Sequence, residues 1–296
     1  MVIKSEICEG GPELSRIILG GWRWNDRSFP LSAQHELVNK ALELGITTFD
    51  HADIYGNYHC QFKFGELLKT ESGLREKIQI ITKCGIKPVS GKFPERKIPF
   101  YDTSSAHIIK SVEDSLVALK TDYVDVLLIH RPDPLLNPDE VAEAFTQLKA
   151  QGKVNYFGVS NFTNEQFSLL QSRLELPLVT NQIELSLSHN SPLFDGTLDY
   201  LLEHKVYPMA WSPFGGGKIF KNKELMDRLN VFCKKYNISI ATLLIAWLIH
   251  LPSRVFPVVG TLRPERLGHI AAGLEVEFER QDWYHILKDV RGYNVP

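Results

Sequence analysis

The feature that most constrains the fold of this chain is a repeated alternation between short apolar runs and segments of helical periodicity. Eight runs of three to eight residues are mainly apolar, which is typical of strands buried on both faces of a parallel sheet. A helical pattern follows each run. The series predicts the α/β class and, within it, a closed (β/α)₈ barrel, or TIM barrel. The predicted strands are residues 17–19, 46–49, 77–82, 123–129, 154–159, 178–185, 206–210 and 255–259.

The barrel is predicted to carry additions at both ends of the chain. Residues 2–8 and 14–20 flank the glycine-rich turn 9–13, which is typical of an N-terminal β-hairpin. Helical periodicity outside the eight units predicts extra helices at residues 225–236, 240–251 and 280–290.

Capping residues predict where several helices begin and end. Ser32 is the expected N-cap of the first helix, and Gly45 is expected to follow its last turn. Asn137 is the expected N-cap of a later helix. Thr163 with Gln166 has the spacing of a capping box.

A doubly wound sheet is the alternative α/β arrangement. It needs a glycine-rich phosphate turn after its first strand, and Gly20-Gly21-Trp22 is not the G-x-G-x-x-G pattern. The barrel is therefore favoured. No Ser/Gly-rich linker or change in composition divides the 296 residues, so we expect one domain over 1–296.

The charge balance argues against two classes of partner. The chain has 33 basic and 35 acidic residues, a formal net charge of −2 at pH 7 and a pI near 6.6. A protein that binds nucleic acid or an anionic membrane surface carries a basic field, and this composition provides none. We expect neither nucleic acid nor membrane as a partner.

Cysteine usage and the first residues of the chain bear on its compartment. The four cysteines have no paired spacing, so we expect reduced thiols and a cytoplasmic protein. Charged residues within 1–11 stand where a signal peptide needs an apolar core. His51 and His59 near Cys60 do not have the spacing of metal ligands, so no metal is expected.

Chemically costly side chains come at the ends of three neighbouring predicted strands. Asp50 and Tyr55 follow the second strand, Lys83 the third and His130 the fourth. These ends meet on one face of a barrel. A tyrosine titrates near ~10, so we expect the ammonium of Lys83, paired with Asp50, to lower the pKa of Tyr55. A neutral His130 could orient a substrate oxygen, and the four groups together could give a proton to a carbonyl oxygen.

Six motifs along essentially the whole chain resemble the aldo-keto reductase superfamily in order and spacing. They begin at Phe49, Thr82, Val124, Gly158, Asn181 and Trp211 and read F-D-x-A-D-x-Y-G, T-K-C-G, V-D-x-L-x-I-H, G-V-S-N-F, N-Q-I-E and W-S-P. The resemblance implies an NAD(P)H-dependent oxidoreductase that reduces an aldehyde or ketone, a small-molecule carbonyl substrate. It implies a catalytic tetrad of Asp50, Tyr55, Lys83 and His130, with Tyr55 as the acid in reduction and the base in oxidation.

The resemblance also implies a cofactor groove. Trp211 would stack on the nicotinamide, and Arg263 and Arg266 would bind the adenosine 2′-phosphate. NADP(H) is therefore the preferred cofactor and NAD(H) the alternative. His269 and Ile270 depart from the family pattern at the adenine contact. The other implied cofactor residues are Gly21 and Trp22 beside the nicotinamide, Ser160, Asn161 and Gln182 on its amide, Ser212, Pro213, Phe214, Gly215, Gly216 and Gly217 over the pyrophosphate, and Gly260 and Thr261 near the 2′-phosphate.

The expected substrate pocket is open on one side. The chain stops soon after its last predicted helix, without the extended tail of many relatives, and this ending resembles a subgroup of bacterial oxidoreductases. Trp22, Trp24 and the loop 85–103 are expected to supply the pocket walls. The alternative function is a nicotinamide-binding regulatory or redox-sensing subunit resembling the β-subunits of potassium channels.

Overall fold

Eight parallel strands close into a barrel in the computed structural model, which describes residues 1–295. The strands follow one another around the barrel in chain order, and the last pairs with the first through Val258 and Ile18. The predicted (β/α)₈ barrel is confirmed. Its strands are β3 (Ile18–Gly20), β4 (Thr48–Asp50), β5 (Gln79–Cys84), β8 (Val124–Ile129), β9 (Val154–Ser160), β10 (Leu178–Glu184), β11 (Met209–Trp211) and β12 (Phe256–Val259).

Helices surround the barrel, and shorter elements complete the fold. Two small antiparallel sheets lie outside it, formed by β1 (Lys4–Glu6) with β2 (Glu13–Ser15) and by β6 (Ile86–Lys87) with β7 (Phe100–Tyr101). Short 3₁₀ turns occur at Arg75–Lys77, Ser191–Leu193, Gly215–Gly217, Ile219–Lys221 and Ala272–Glu275. The helices are α1 (Leu31–Glu43), α2 (Tyr55–Tyr58), α3 (Cys60–Thr70), α4 (Ser105–Leu119), α5 (Pro138–Ala150), α6 (Asn164–Gln171), α7 (Thr197–Glu203), α8 (Lys223–Tyr236), α9 (Ile240–Ile249), α10 (Pro264–Ala271) and α11 (Arg280–Arg291).

The N-terminal hairpin is shorter than expected. Its second arm ends at Ser15, and residues 18–20 form the first barrel strand. Ser15 separates the two because its hydroxyl donates to the carbonyl of Ile17 at 2.7 Å and accepts the amide of Thr48 at 3.0 Å. One side chain thus ends the hairpin and begins the barrel.

The predicted helix caps are confirmed except at the start of the first helix, and Gly45, with a φ of 82°, follows the last turn of that helix as expected. Asn137 accepts the amide of Asp139, and Thr163 and Gln166 form the reciprocal bonds of a capping box. The expected cap at Ser32 is wrong. Helix α1 already begins at Leu31 after Pro30, whose φ of −70° and ψ of 168° set the turn into the helix without a side-chain cap.

The predicted strand at 206–210 is also shifted. Val206 forms an antiparallel bridge with Cys8, and the amide of Tyr207 donates to the carbonyl of Ile7 at 2.8 Å. These bonds attach the segment to the N-terminal part of the chain. The barrel strand β11 therefore starts only at Met209.

A second apolar cluster lies outside the barrel, where α8, α9 and α11 pack together. Trp247 and Trp283 stack at its centre with ring centroids 4.8 Å apart and planes 5° from parallel. Each indole N–H donates to the other residue's backbone carbonyl, at 3.3 and 2.9 Å. The pair joins α9 to α11 through the stacked contact of the two rings and through two hydrogen bonds.

Membrane-spanning length was assessed for the described helices. Among residues 1–295, no single helix is long and apolar enough to cross a membrane, although α8 and α9 meet the length and composition test when taken together, with an 81° bend between them.

Replacing Trp247 with Ala is expected to lower the free energy of unfolding by about 3–5 kcal/mol, because it removes a fully buried ring and its stacking contact with Trp283. Urea denaturation followed by circular dichroism measures the change. Val231→Ala is the control, since Val231 lies on α8 and is 64% exposed. Equal stability of the two variants would contradict the importance of the tryptophan pair.

Candidate active site

An ion pair between Lys83 and Asp50 forms the floor of a cavity at the carboxyl ends of the barrel strands. The ammonium of Lys83 lies 2.7 Å from each carboxylate oxygen of Asp50 and donates to the carbonyl of His51 at 2.8 Å. Lys83 is 0% exposed and Asp50 2%. Burial alone would lower the pKa of Lys83, but the charge of Asp50 and the contact with Tyr55 hold this pKa above its ordinary value. Lys83 is therefore a permanent cation.

Tyr55 stands next to this cation at the start of α2. Its phenol oxygen is 3.3 Å from the Lys83 ammonium, and Trp22 stacks on its ring at a centroid distance of 5.7 Å. The expected lowering of its pKa is wrong. Desolvation by the surrounding protein raises the pKa of Tyr55, Asp50 raises it further, and the opposing charges of Lys83 and Arg131 do not offset the two. The phenol therefore keeps its proton at neutral pH.

His130 lies on the other side of Tyr55, just after β8. Its ring centroid is 5.9 Å from that of Tyr55, with the planes at 74°. Burial, and then the charges of Lys83 and Arg131, lower the pKa of His130 well below its ordinary value. Its Nδ1 is buried without a hydrogen-bond partner among residues 1–295. The imidazole is therefore neutral.

A chain of polar contacts runs from Trp211 to the ion pair. The indole N–H of Trp211 donates to Asn161 Oδ1 at 2.9 Å, and Asn161 Nδ2 donates to Ser160 Oγ at 2.7 Å. Ser160 Oγ then donates to the carbonyl of Gln182 at 2.8 Å, and Gln182 Nε2 donates to Asp50 at 3.0 Å. The ends of four strands are thus fixed relative to one another by hydrogen bonds.

The cavity has a volume of about 1310 Å³, and its wall includes both Tyr55 and Arg266. Most of the residues implicated by the sequence lie on this wall. They are Asp50, Tyr55 and His130 of the tetrad, with Trp22, Ser160, Asn161, Gln182, Trp211, Ser212, Pro213, Phe214, Gly216, Gly217, Gly260, Thr261, Arg263 and Arg266; His269 and Ile270 lie there too.

Gly21 and Gly215 lie behind the cavity wall instead of on it. A side chain at Gly21 would meet the ring of His51 at 2.5 Å, and one at Gly215 would meet Ser188 Oγ at 2.3 Å. Both glycines therefore permit close packing of the wall. Their expected contact with cofactor is not supported by this placement.

Trp24 does not line the substrate pocket, so that expectation is wrong. Its ring is 0% exposed and packs edge-on against Phe29, His51 and Phe64, at centroid distances of 5.5, 5.9 and 4.9 Å. Trp22, two positions earlier, is 69% exposed and does line the cavity.

The loop 85–103 was also expected to form a pocket wall, and this is wrong for the described chain. None of the lining residues in 1–295 comes from the loop. Its ends pair as β6 and β7, and Arg96 donates to the phenol of Tyr58 at 2.9 Å. These contacts hold the loop beside the cavity.

Several lining residues were missed by the sequence reasoning. Arg131 and Ile54 are direct neighbours of His130 and Tyr55, and this adjacency was the signal available for them. No comparable sequence signal was available for Phe220 or Arg23. The guanidinium of Arg23 donates to the carbonyl of Gly260 at 2.7 Å.

The residues present fit a dinucleotide phosphate. Gly216 and Gly217 have positive φ, and a Cβ at either would meet no atom within 4 Å, so their backbone borders open space. Arg263 and Arg266 stand near the start of α10 without a carboxylate partner in the described chain. Backbone amides and unpaired guanidinium groups are the donors that phosphate oxygens require.

Comparison with known proteins identifies the family. A model of the Aldo/keto reductase family matches residues 16–288. The chain belongs to this family. Similar proteins include Oxidoreductase YdhF of Escherichia coli K12, 46% identical over 300 residues and covered completely on both sides, and a 6-dehydroglucose reductase of Agrobacterium fabrum C58, 44% identical with 93% of each chain covered.

Solved structures agree with this assignment. The crystal structure of the thermostable aldo-keto reductase Tm1743 in complex with the inhibitor epalrestat has a TM-score of 0.82 and 25% identity, covering 97% of this chain and 99% of that one. This aldo/keto reductase is therefore an oxidoreductase of carbonyl compounds, and its family generally uses NAD(P)H.

Asp53 lies beside the tetrad and is a carboxyl group whose pKa is raised. Its oxygens accept hydrogen bonds from the amide of Ile54 at 2.7 Å and from the hydroxyl of Ser111 at 2.9 Å. Desolvation outweighs these bonds and raises the pKa of Asp53 to about 7. Between the unfolded pKa near ~4 and this value, the folded state binds more protons than the unfolded state, so this group makes stability fall as pH rises.

In the wild type, Asp53 makes the free energy of unfolding fall between about pH 4.5 and about pH 7.5. In Asp53→Asn this free energy is expected to fall less over the same range, because the amide does not titrate. Urea denaturation at both pH values measures the slope. Asp227→Asn, at an exposed position on α8, is the matched control and should follow the wild-type slope. If the Asp53 variant also follows that slope, the raised pKa is contradicted.

Proposed function

We propose that this protein reduces an aldehyde or ketone to an alcohol, with NADPH as the hydride donor and Tyr55 as the proton donor. The observation that carries the proposal is the phenol of Tyr55, held protonated on the cavity wall at 3.3 Å from a buried ammonium. A carbonyl oxygen develops negative charge as it is reduced, and a positioned phenol can neutralise this charge by proton transfer.

Lys83 and Asp50 support the proton transfer without donating the proton. When Tyr55 loses its proton, the adjacent ammonium stabilises the phenolate, and Asp50 keeps the ammonium charged and in place. In the reverse reaction the same phenolate accepts a proton from an alcohol. The neutral imidazole of His130 is placed to donate a hydrogen bond to the substrate oxygen and orient it.

The cofactor residues proposed here follow the cavity from one end to the other. Bound NADPH would supply the hydride. Ser160 and Asn161 would hold the nicotinamide amide, and Trp211 would offer a flat face to the ring. Gly216 and Gly217 would give backbone N–H groups to the pyrophosphate, and Arg263 and Arg266 would bind a 2′-phosphate.

A preference for NADP(H) over NAD(H) rests on the two arginines. Their guanidinium groups have no carboxylate partner in the described chain, so a phosphate dianion can engage both. NADH lacks this phosphate and would leave both groups without a ligand.

A sugar-derived aldehyde is the first substrate class that we propose to test. Two of the similar proteins carry the name 6-dehydroglucose reductase, at 44% identity in Agrobacterium fabrum and 34% in Novosphingobium aromaticivorans. The aromatic face of Trp22 beside Tyr55 is compatible with a small carbon chain.

Tyr55→Phe is expected to lower kcat by about 10²–10⁴-fold, because it removes the proton donor and little volume. The assay is NADPH oxidation at the nicotinamide absorbance band with a panel of aldehydes. Binding of NADPH, measured by fluorescence titration, should stay within about twofold, since the ring is retained. Tyr101→Phe, at a partly exposed position in β7, is the control; retention of wild-type kcat by Tyr55→Phe would exclude Tyr55 as the acid.

The double variant Arg263→Met with Arg266→Met is expected to weaken NADPH binding by about 10- to 100-fold, the loss that follows when charge-assisted hydrogen bonds to phosphate are removed. Its affinity for NADH should change by less than about twofold, because NADH has no 2′-phosphate. Arg228→Met, an outward arginine on α8, is the matched control. An equal loss of affinity for NADPH and NADH would show that the two arginines do not bind the 2′-phosphate.

A further inference from the structure

Arg131 is a cation on the cavity wall that the proposed chemistry does not use. It directly follows His130, and its guanidinium carbon lies 5.4 Å from the ring centre of Trp211. Within residues 1–295 its side chain forms no salt bridge and no hydrogen bond, while other arginines such as Arg75 and Arg173 are paired with carboxylates. Stacking on indole holds the group without satisfying its N–H donors.

The surroundings of Arg131 provide no counter-ion. Asp50 is the carboxylate on the cavity wall, and Lys83 and Gln182 already engage its oxygens. Asp133, two positions along the chain, accepts from the hydroxyl of Thr103 at 2.9 Å and the amide of Leu135 at 2.8 Å. The N–H donors of Arg131 therefore have no protein acceptor in the described chain and are available to a ligand in the cavity.

Arg131 belongs to the end of the cavity where the carbonyl would react. Arg131 directly follows His130, whose ring centroid lies 5.9 Å from that of Tyr55, whereas Arg263 and Arg266 lie near the start of α10. Its surroundings on the wall include His130 and Trp211, and Trp22 stacks on Tyr55 beside His130. This part of the wall therefore combines the indole surface of two tryptophans, the phenol of Tyr55 and the unpaired N–H donors of Arg131.

We infer that Arg131 determines substrate specificity by binding an oxygen-bearing group, a carboxylate or a hydroxyl, on the carbons near the reacting carbonyl. The inference rests on the proposed carbonyl reduction. The planar guanidinium binds two acceptor oxygens at once and suits a carboxylate or neighbouring hydroxyls, while the exposed indole of Trp22 borders the carbon chain. An unsubstituted alkyl aldehyde gains nothing from this group.

The test compares aldehydes of matched length in wild type and Arg131→Met. The pairs are 4-oxobutanoate with butanal and glyceraldehyde with propanal, each assayed with NADPH. For at least one oxygen-bearing aldehyde, kcat/KM is expected to fall by about 10- to 100-fold, the loss of a hydrogen bond to a charged group. For butanal and propanal the fall should be much smaller, because these aldehydes lose no hydrogen bond, so the readout is the ratio of kcat/KM within each matched pair. A loss confined to 4-oxobutanoate assigns a carboxylate, and a loss confined to glyceraldehyde assigns hydroxyls.

Two further variants sharpen the result. Arg131→Lys keeps the positive charge but not the planar pair of N–H donors. It should therefore restore kcat/KM for 4-oxobutanoate more than for glyceraldehyde. Arg173→Met, a surface arginine paired with Asp139, is the control and should leave all four substrates unchanged.

Three outcomes would overturn the inference. Parallel losses on all four aldehydes would mean that Arg131 serves catalysis or structure in general. Weaker NADPH binding by Arg131→Met, measured by fluorescence titration, would mean that it contacts the cofactor. If the wild type reduces no aldehyde with NADPH, the proposed function fails and the inference fails with it; the first two outcomes overturn the inference alone.

Discussion

The buried ion pair of Lys83 and Asp50 joins the architecture of the barrel to its chemistry. Removing two charges from water is expensive, and the pair is tolerated because each group has its partners: both carboxylate oxygens face the ammonium, the carbonyl of His51 takes a further N–H, and Gln182 donates to the carboxylate. These contacts connect β4, β5 and β10. A substitution that removes either Lys83 or Asp50 leaves the other as an uncompensated charge, buried at the carboxyl ends of the barrel strands.

The electrostatics of the cavity follow from that pair. Because Asp50 is neutralised, the remaining charges on the wall are the guanidinium groups of Arg23, Arg131, Arg263 and Arg266. A positive cavity suits anionic ligands and oxygen-rich substrates. Desolvation dominates at the acid itself, so Tyr55 keeps its proton and His130 stays neutral. Both side chains are therefore uncharged in the resting site.

Trp211 and the ion pair of Lys83 and Asp50 are joined by one set of hydrogen bonds. Trp211, Asn161, Ser160 and Gln182 form a continuous chain that ends on Asp50. Substituting Trp211 therefore also releases Asn161, and substituting Gln182 also disturbs Asp50. Variants at these positions should be interpreted as changes to a network.

The barrel and the convergence of Asp50, Lys83 and His130 could be predicted from the sequence because their signals are local. Buried parallel strands are apolar runs, and the strand ends of a barrel must meet on one face, which brings Asp50, Lys83 and His130 together. The capping box at Thr163 was equally local.

What the tertiary structure alone decided depends on packing between distant segments. Trp22 and Trp24 are two positions apart, yet one is exposed and the other is enclosed by Phe64 and His51, because the contacts of α3 and β4 determine which ring turns inward. The pKa of Tyr55 rises instead of falling because desolvation is a property of the assembled cavity. Likewise, the sequence places Arg131 next to His130, but only the folded chain leaves its guanidinium over an indole and without a carboxylate.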